Sequence, residues 1–213
     1  MLKILMPSIN QLITSEYRSI KNAESEKLIA AALKGLYPVK QPELRQISGI
    51  PGAGKSTFCL SHLPPNFLML SFDDIMIKLK GYQNALKASG AAYAYAQYEM
   101  PARIIGYELL QRAIMLRLNI MFEHSGVNEA HIELFKNLAQ RGYKTSVECI
   151  ICKEEKAIER AKERAIKINR YVPEKIILER ANKIKDYMTR YQKIASSVAF
   201  FDGENNFSPL NKI

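Results

Sequence analysis

The chain has 213 residues, 47% hydrophobic and 24% charged, with no Trp. That length can bury a core without staples, and the composition excludes a disordered tail, a collagen-like repeat and a low-complexity array. Lys and Arg outnumber Asp and Glu by 31 to 21, a net charge of +10, which favours an anionic ligand (nucleotide, sugar phosphate or nucleic acid) without choosing among them. Three cysteines are too few for a disulfide framework and point to a reducing, cytoplasmic setting. No apolar run reaches the ~18 residues of a membrane span. Met1 to Leu12 shows neither a sustained apolar core nor a small-residue cleavage site, so no secretory signal is expected.

The predicted elements alternate along the chain. A helix is expected over 12–35, where Leu12, Ile13, Ile20, Leu28, Ile29 and Leu33 mix with charged positions and Gly35 is a stop signal. Pro38 and Pro42 mark a connector. Strands are expected at 44–48, 66–71, 119–123, 146–152 and 198–201. Helices are expected at 56–63, 101–117, 128–141, 153–167 and 173–195. The last is the clearest, because Ile177, Ala181, Ile184, Met188, Tyr191 and Ala195 form one stripe. This pattern predicts an α/β fold with a mainly parallel sheet of about five strands flanked by helices.

Gly49-Ile50-Pro51-Gly52-Ala53-Gly54-Lys55-Ser56-Thr57 matches G-x-x-x-x-G-K-[ST] in full. The chemistry needs these types at this spacing. The glycines let backbone N–H groups turn inward on phosphates, and the following helix adds its positive end. Lys55 reaches the β- and γ-phosphates and the Ser56 hydroxyl ligates Mg2+. Gly49, Pro51, Gly52, Ala53, Gly54, Lys55, Ser56 and Thr57 are thus the candidate nucleotide-binding residues of a P-loop NTPase-type domain over 41–213, with 1–40 as an N-terminal helical extension. The strand before the loop is polar for a central one (Arg45, Gln46, Ser48). A switch GTPase should carry N-K-x-D, and a motor ATPase an apolar strand ending in Asp-Glu; neither string is in place.

The second strand runs into Ser71-Phe72-Asp73-Asp74, at the strand end that faces the ligand in such a sheet. Asp73 is the candidate base for a substrate hydroxyl, with Asp74 nearer the start of a helix from Ile75, where a capping role competes. The third strand ends in Glu123-His124-Ser125-Gly126. Glu123 can hold the metal's water or the substrate, and Ser125 can bond the substrate or the acidic pair. Residues 153–193 hold thirteen Lys/Arg against seven acids. Most of these are a solvated helical face, but phosphoryl transfer needs guanidinium groups at the γ-phosphate. Arg164 and Arg170 are the first candidates and Arg160 the third. Three tyrosines (93, 95 and 98) could stack on a base, although a helix burying aromatics explains them as well. Cys149 and Cys152 point to opposite faces of one strand and read as core.

Taken in order, these motifs resemble the zeta toxin family of P-loop kinases, within the wider group that includes the phage-type polynucleotide 5′-kinases. The points of contact are GIPGAGKST, Asp73 in SFDDI, the helix Met100–Ala113, Ile120–Gly126 with Glu123 and Ser125 on the family's Glu and Thr, Leu138–Lys144, and Arg160, Arg164 and Arg170 before the last long helix. His124 and Ser125 depart from the usual Gly and Thr. The resemblance implies transfer of the γ-phosphate of ATP, with Mg2+, to a hydroxyl of UDP-N-acetylglucosamine. Asp74, beside Asp73, is expected to contact substrate with Glu123 and Ser125, and the resemblance implies an antitoxin partner that covers the nucleotide site. A polynucleotide 5′-hydroxyl acceptor, with nucleic acid as partner, is the alternative. A nucleotide-binding effector without turnover is a further one.

Overall fold

A computed structural model describes residues 21–168 and 170–211. The chain order is α1 (Ala23–Leu33), β1 (Glu43–Ser48), α2 (Lys55–His62), β2 (Phe67–Ser71), α3 (Phe72–Lys78), α4 (Lys80–Met115), β3 (Asn119–Glu123), α5 (Glu129–Gln140), β4 (Lys144–Ile151), α6 (Glu154–Ile168), α7 (Glu174–Tyr191), β5 (Ser197–Asp202) and β6 (Ser208–Leu210). The six strands form one sheet in the order β2-β3-β1-β4-β5-β6. All neighbours are parallel except β5 and β6. The expected α/β fold is therefore present, with one strand more than the five anticipated. β6 escaped notice because it is three residues long and contains Pro209, which suits only an edge.

Two apolar clusters hold the layers together. The larger joins the sheet to α1, α4 and α5 through Leu44, Leu70, Phe122, Leu110 and Phe135. The smaller joins Ile47, Met121 and Ile150 to α2, α6 and α7 through Phe58, Ala157 and Ile177. Helix α1 belongs to the first cluster. It starts from a capping box, in which Asn22 accepts from the Ser25 N–H and Ser25 Oγ accepts from the Asn22 N–H. Ile29 is fully buried, and Arg112 of α4 binds both carboxylate oxygens of Glu26 at 2.8 Å. Residues 12–20 of the helix expected there lie outside the described residues.

The polar character of β1 has a structural cause. Gln46 and Ser48 are fully buried. Gln46 Oε1 meets His131 Nδ1 at 2.9 Å, and the Ser48 hydroxyl donates to the Ser125 carbonyl. Arg45 binds Glu43 two residues back and lies over the Phe67 ring. The polar side chains of this central strand thus tie it to α5 and to the loop after β3.

Helix α4 was expected only over 101–117. The structure starts it at Lys80, carries it through Pro101, and turns it instead at Gly90 (φ 82°, ψ 173°), a conformation that favours glycine. The turn sets Tyr95, Glu99 and Arg103, spaced one turn apart, along one face.

Candidate active site

Register brings the strand ends together. Ser71 of β2 lies beside Glu123 of β3, and Ile47 of β1 lies on Glu123's other side. β1 sends its connection to β2 on one flank and β3 sends its own to β4 on the other, so the crevice opens between β1 and β3 at a topological switch point.

The loop after β1 has the backbone its glycines require. Gly49, Gly52 and Gly54 have φ of 136°, 89° and 103°. A Cβ on Gly52 would strike the carbonyl oxygen of Ala157 on α6. Gly52→Ala is therefore expected to cost more than about 1 kcal/mol and to weaken binding of an ATP analogue. Thermal melts with and without the analogue check this; a variant melting like the parent would show that loop and helix have room. Lys55 Nζ donates to the loop's own carbonyls, Gly49 and Ile50, both at 3.0 Å. Burial pulls the Lys55 pKa down to about 8, against the opposing pull of Glu123. A nucleotide's phosphates would supply the negative charge that this ammonium lacks.

Beside the loop, the Ser56 hydroxyl donates to Glu123 Oε1 at 2.8 Å, while Glu123 Oε2 is buried without a partner. Hydroxyl, carboxylate and an orphaned oxygen side by side fit a Mg2+ ion with its waters. Among the described residues no group of three or more His, Cys, Asp or Glu side chains could hold a metal ion. Such an ion would thus be held jointly with the phosphates.

Asp73 stands in the first turn of α3, and Arg170 grips it with Nε at 3.0 Å and with a second N–H. The same guanidinium is 4.0 Å from Glu123 Oε1. Burial pushes the Asp73 pKa up, but the charge and hydrogen bond of Arg170, with Arg164 and Lys55 behind it, hold it below the usual value. Arg164 lines the same cleft, and its Nε is buried with no partner. Burial and Arg170 push its own pKa down. An unpaired buried donor costs about 1–3 kcal/mol, which an anion in the cleft would relieve. Three cations and two carboxylates therefore converge where a γ-phosphate and an attacking hydroxyl would meet.

A family model for zeta toxins matches residues 28–207. The chain belongs to the zeta toxin family. With it the chain joins the P-loop phosphotransferases. No curated protein matches it. Among solved structures it is similar to the PezAT chromosomal toxin-antitoxin system of Streptococcus pneumoniae (TM-score 0.68, 17% identity, 89% of this chain and 80% of that one). It is also similar to AvrRxo1-ORF1:-ORF2 with ATP (TM-score 0.60, 14% identity, 96% and 66%), and to the Pnkp1/Rnl/Hen1 RNA repair complex (TM-score 0.53, 15% identity, 84% and 50%). The chain spans half to two thirds of the length of the last two. At such identities the likeness is one of fold.

This zeta toxin family member brings Lys55, Ser56, Asp73, Glu123, Ser125, Arg164 and Arg170 together, and leaves two sequence candidates outside the cleft. Asp74 follows Asp73 on a helix, where neighbours diverge by about 100°. It lines a separate, mostly apolar groove with Ile29, Met69 and Ile105. Neither aspartate caps α3; Ser71 does, its hydroxyl accepting from the Asp74 N–H. Arg160, one turn before Arg164, donates to the Gly203 carbonyl at 2.9 Å and so pins α6 to the turn after β5. Of the three tyrosines only Tyr95 lines the cleft. Tyr98 packs on Gly81 and Tyr82, and Tyr93 is exposed.

The cleft also holds residues that sequence reasoning passed over: Glu99, Arg103 and Arg180. A signal for each was available. Glu99 and Arg103 continue the i,i+4 series from Tyr95. Arg180 sits three residues after Ile177 and four before Ile184, on the stripe that faces the protein rather than water.

Proposed function

We propose that the chain is an ATP-dependent kinase that transfers the γ-phosphate to a hydroxyl of a small molecule, with UDP-N-acetylglucosamine, a nucleotide sugar, as acceptor. The observation that carries this reading is the convergence of Lys55, Asp73, Arg164 and Arg170 on one cleft beside the P-loop. Lys55 leaves the loop carbonyls for the β- and γ-phosphates. Asp73 accepts the acceptor's hydroxyl proton as the oxygen attacks phosphorus. Arg164 and Arg170 hold the equatorial oxygens as charge moves to the leaving group. Ser56 and Glu123 would hold Mg2+, which would supply positive charge against the phosphates during transfer. ATP as donor is supported by the likeness to AvrRxo1-ORF1:-ORF2 solved with ATP. The likeness to PezAT, a toxin-antitoxin system, supports an antitoxin protein as partner. Among the described residues no helix is long and apolar enough to cross a membrane; we place the reaction in the cytoplasm, where ATP is at hand and the three cysteines stay unpaired.

The test is an acceptor screen with γ-labelled ATP and Mg2+ over UDP-N-acetylglucosamine, other nucleotide sugars, nucleosides and 5′-hydroxyl oligonucleotides. Label is expected on UDP-N-acetylglucosamine. Lys55→Ala is expected to remove it and to weaken ATP binding, since a buried charge-assisted contact contributes about 1.5–3 kcal/mol. Label on oligonucleotide ends would overturn the acceptor and move the protein to the polynucleotide kinases. Label on nothing, with ATP still bound, would overturn the kinase reading in favour of an effector without turnover.

A further inference from the structure

Glu123 is the last residue of β3, so the direction of its carboxylate depends on what holds the loop that follows. Three hydrogen bonds hold that loop by its backbone. The His124 N–H donates to the Ile47 carbonyl at 3.2 Å, the Ser48 hydroxyl to the Ser125 carbonyl, and the Tyr191 hydroxyl to the Gly126 carbonyl at 2.7 Å. The fourth support is a ring. His124 is stacked on His131 of α5, with centroids 4.1 Å apart and planes within 25° of each other. His131 is fully buried and locked in turn. Its Nδ1 meets Gln46 Oε1 at 2.9 Å and its Nε2 meets the Tyr107 hydroxyl at 3.2 Å. An amide oxygen only accepts, so Nδ1 carries the proton and Nε2 accepts from Tyr107. Burial keeps the ring neutral, drawing its pKa down to about 3. Side chains of β1 and α4 thus set the plane of a ring on α5, and that ring sets the plane of His124. The arrangement has a cost: Gln46 Nε2 is left buried with no partner, which an apolar side chain would avoid. What the polar side chains supply in return is one fixed orientation, which apolar filler of the same size does not impose.

We propose that His131 is a positioning residue for phosphoryl transfer: clamped by Gln46 and Tyr107, it fixes His124 by stacking, and so fixes the Glu123 carboxylate beside the Ser56 hydroxyl for Mg2+. This role rests on the reading of Ser56 and Glu123 as the pair that holds the metal. It adds three side chains that do not line the cleft. They act on the metal only through the loop that carries Glu123, so their loss should loosen the metal while leaving the phosphate cradle of the P-loop as it is.

The probe is Mn2+ in place of Mg2+, titrated by electron paramagnetic resonance into the full chain saturated with a non-hydrolysable ATP analogue. His131→Phe keeps the ring and its stacking but loses both hydrogen bonds. It is expected to bind Mn2+ roughly tenfold more weakly than wild type, as when the outer support of a metal site is removed. Affinity for the analogue measured in EDTA is expected to stay unchanged. The single change also strands the Gln46 oxygen and the Tyr107 hydroxyl; if it melts early, the triple variant Gln46→Leu, Tyr107→Phe, His131→Phe decides. Removing all three polar groups together should restore much of the stability, yet Mn2+ binding should stay weak, because nothing then sets the plane of the ring. Mn2+ affinity that returns to the wild-type value along with stability would show a merely structural role and overturn the proposal. So would His131→Phe that binds Mn2+ as wild type does. The metal reading itself is tested by Glu123→Gln. If that variant binds Mn2+ as tightly as wild type, Glu123 does not hold the metal and the role of His131 falls with it; if Glu123→Gln weakens Mn2+ and His131→Phe does not, only the positioning role is lost.

Discussion

Asp73→Asn is expected to slow phosphoryl transfer roughly 10²–10⁴-fold, the usual span for losing a positioned general base, while ATP-analogue affinity stays close to wild type. The separation follows from placement. Asp73 is in the first turn of α3, held by Arg170, and it does not touch the P-loop lysine, which bonds to Gly49 and Ile50. Asparagine keeps an oxygen for Arg170 but cannot take a proton. Single-turnover transfer from labelled ATP to UDP-N-acetylglucosamine, with calorimetry for the analogue, measures both. A variant with full activity would show that another group is the base. The cost in stability is expected to be about 1 kcal/mol, because the Asp73 side chain is 34% exposed and water screens the pair. The sign of the pH effect is fixed by direction. The native pKa lies below the ordinary value. The stabilisation from this pair is therefore fully present above the unfolded carboxylate value of about 3.9 and is lost as pH falls through the lower native value. Activity should accordingly hold on the acid side until the protein itself begins to unfold.

How much of this was legible in the sequence differs from element to element for physical reasons. The strand Asn119–Glu123 was bounded correctly because a continuous apolar run ends sharply at a carboxylate and a turn. The P-loop was legible because its glycines and lysine are fixed by the shape of a phosphate, whatever the rest of the fold does. Asp73 and Glu123 followed from it, since strand ends in such a sheet share one crevice. Their neighbour Asp74 was placed on substrate by proximity in sequence. The helix starts earlier than expected, at Phe72, and turns Asp74 to the groove beside α1. The arginines of α6 were similarly ambiguous. Arg160 and Arg164 share a helix face, yet one turn of rise separates the turn after β5 from the cleft. Arg103 and Arg180 are brought in by helices whose packing depends on the break at Gly90 and on the α7 stripe meeting the sheet. Local pattern gives such a face, but only tertiary packing says what it faces.

Arg170→Ala is the other large effect, and it differs from Asp73→Asn in kind. Loss of one preorganised donor at the transferring phosphoryl group is expected to slow turnover roughly 10²–10³-fold. Arg170 is nearly buried and bridges Asp73 and, more distantly, Glu123. Its removal leaves two carboxylates beside each other with only Lys55 and Arg164 in compensation. Breaking a buried pair costs about 3–5 kcal/mol; partial exposure of Asp73 brings the expected loss nearer to 2 kcal/mol. The same change removes the main influence holding the Asp73 pKa down and leaves the burial that pushes it up. The acid limb of the rate profile should therefore move to higher pH, whereas a purely structural arginine would lower activity equally at every pH. Arg170→Lys restores the charge but not the two-pronged grip, so it should recover the pH profile better than the rate. An unshifted acid limb in Arg170→Ala would detach Asp73 from the proton transfer. A double variant with Asp73→Asn that loses no more than either single change would show that the two side chains act as one unit.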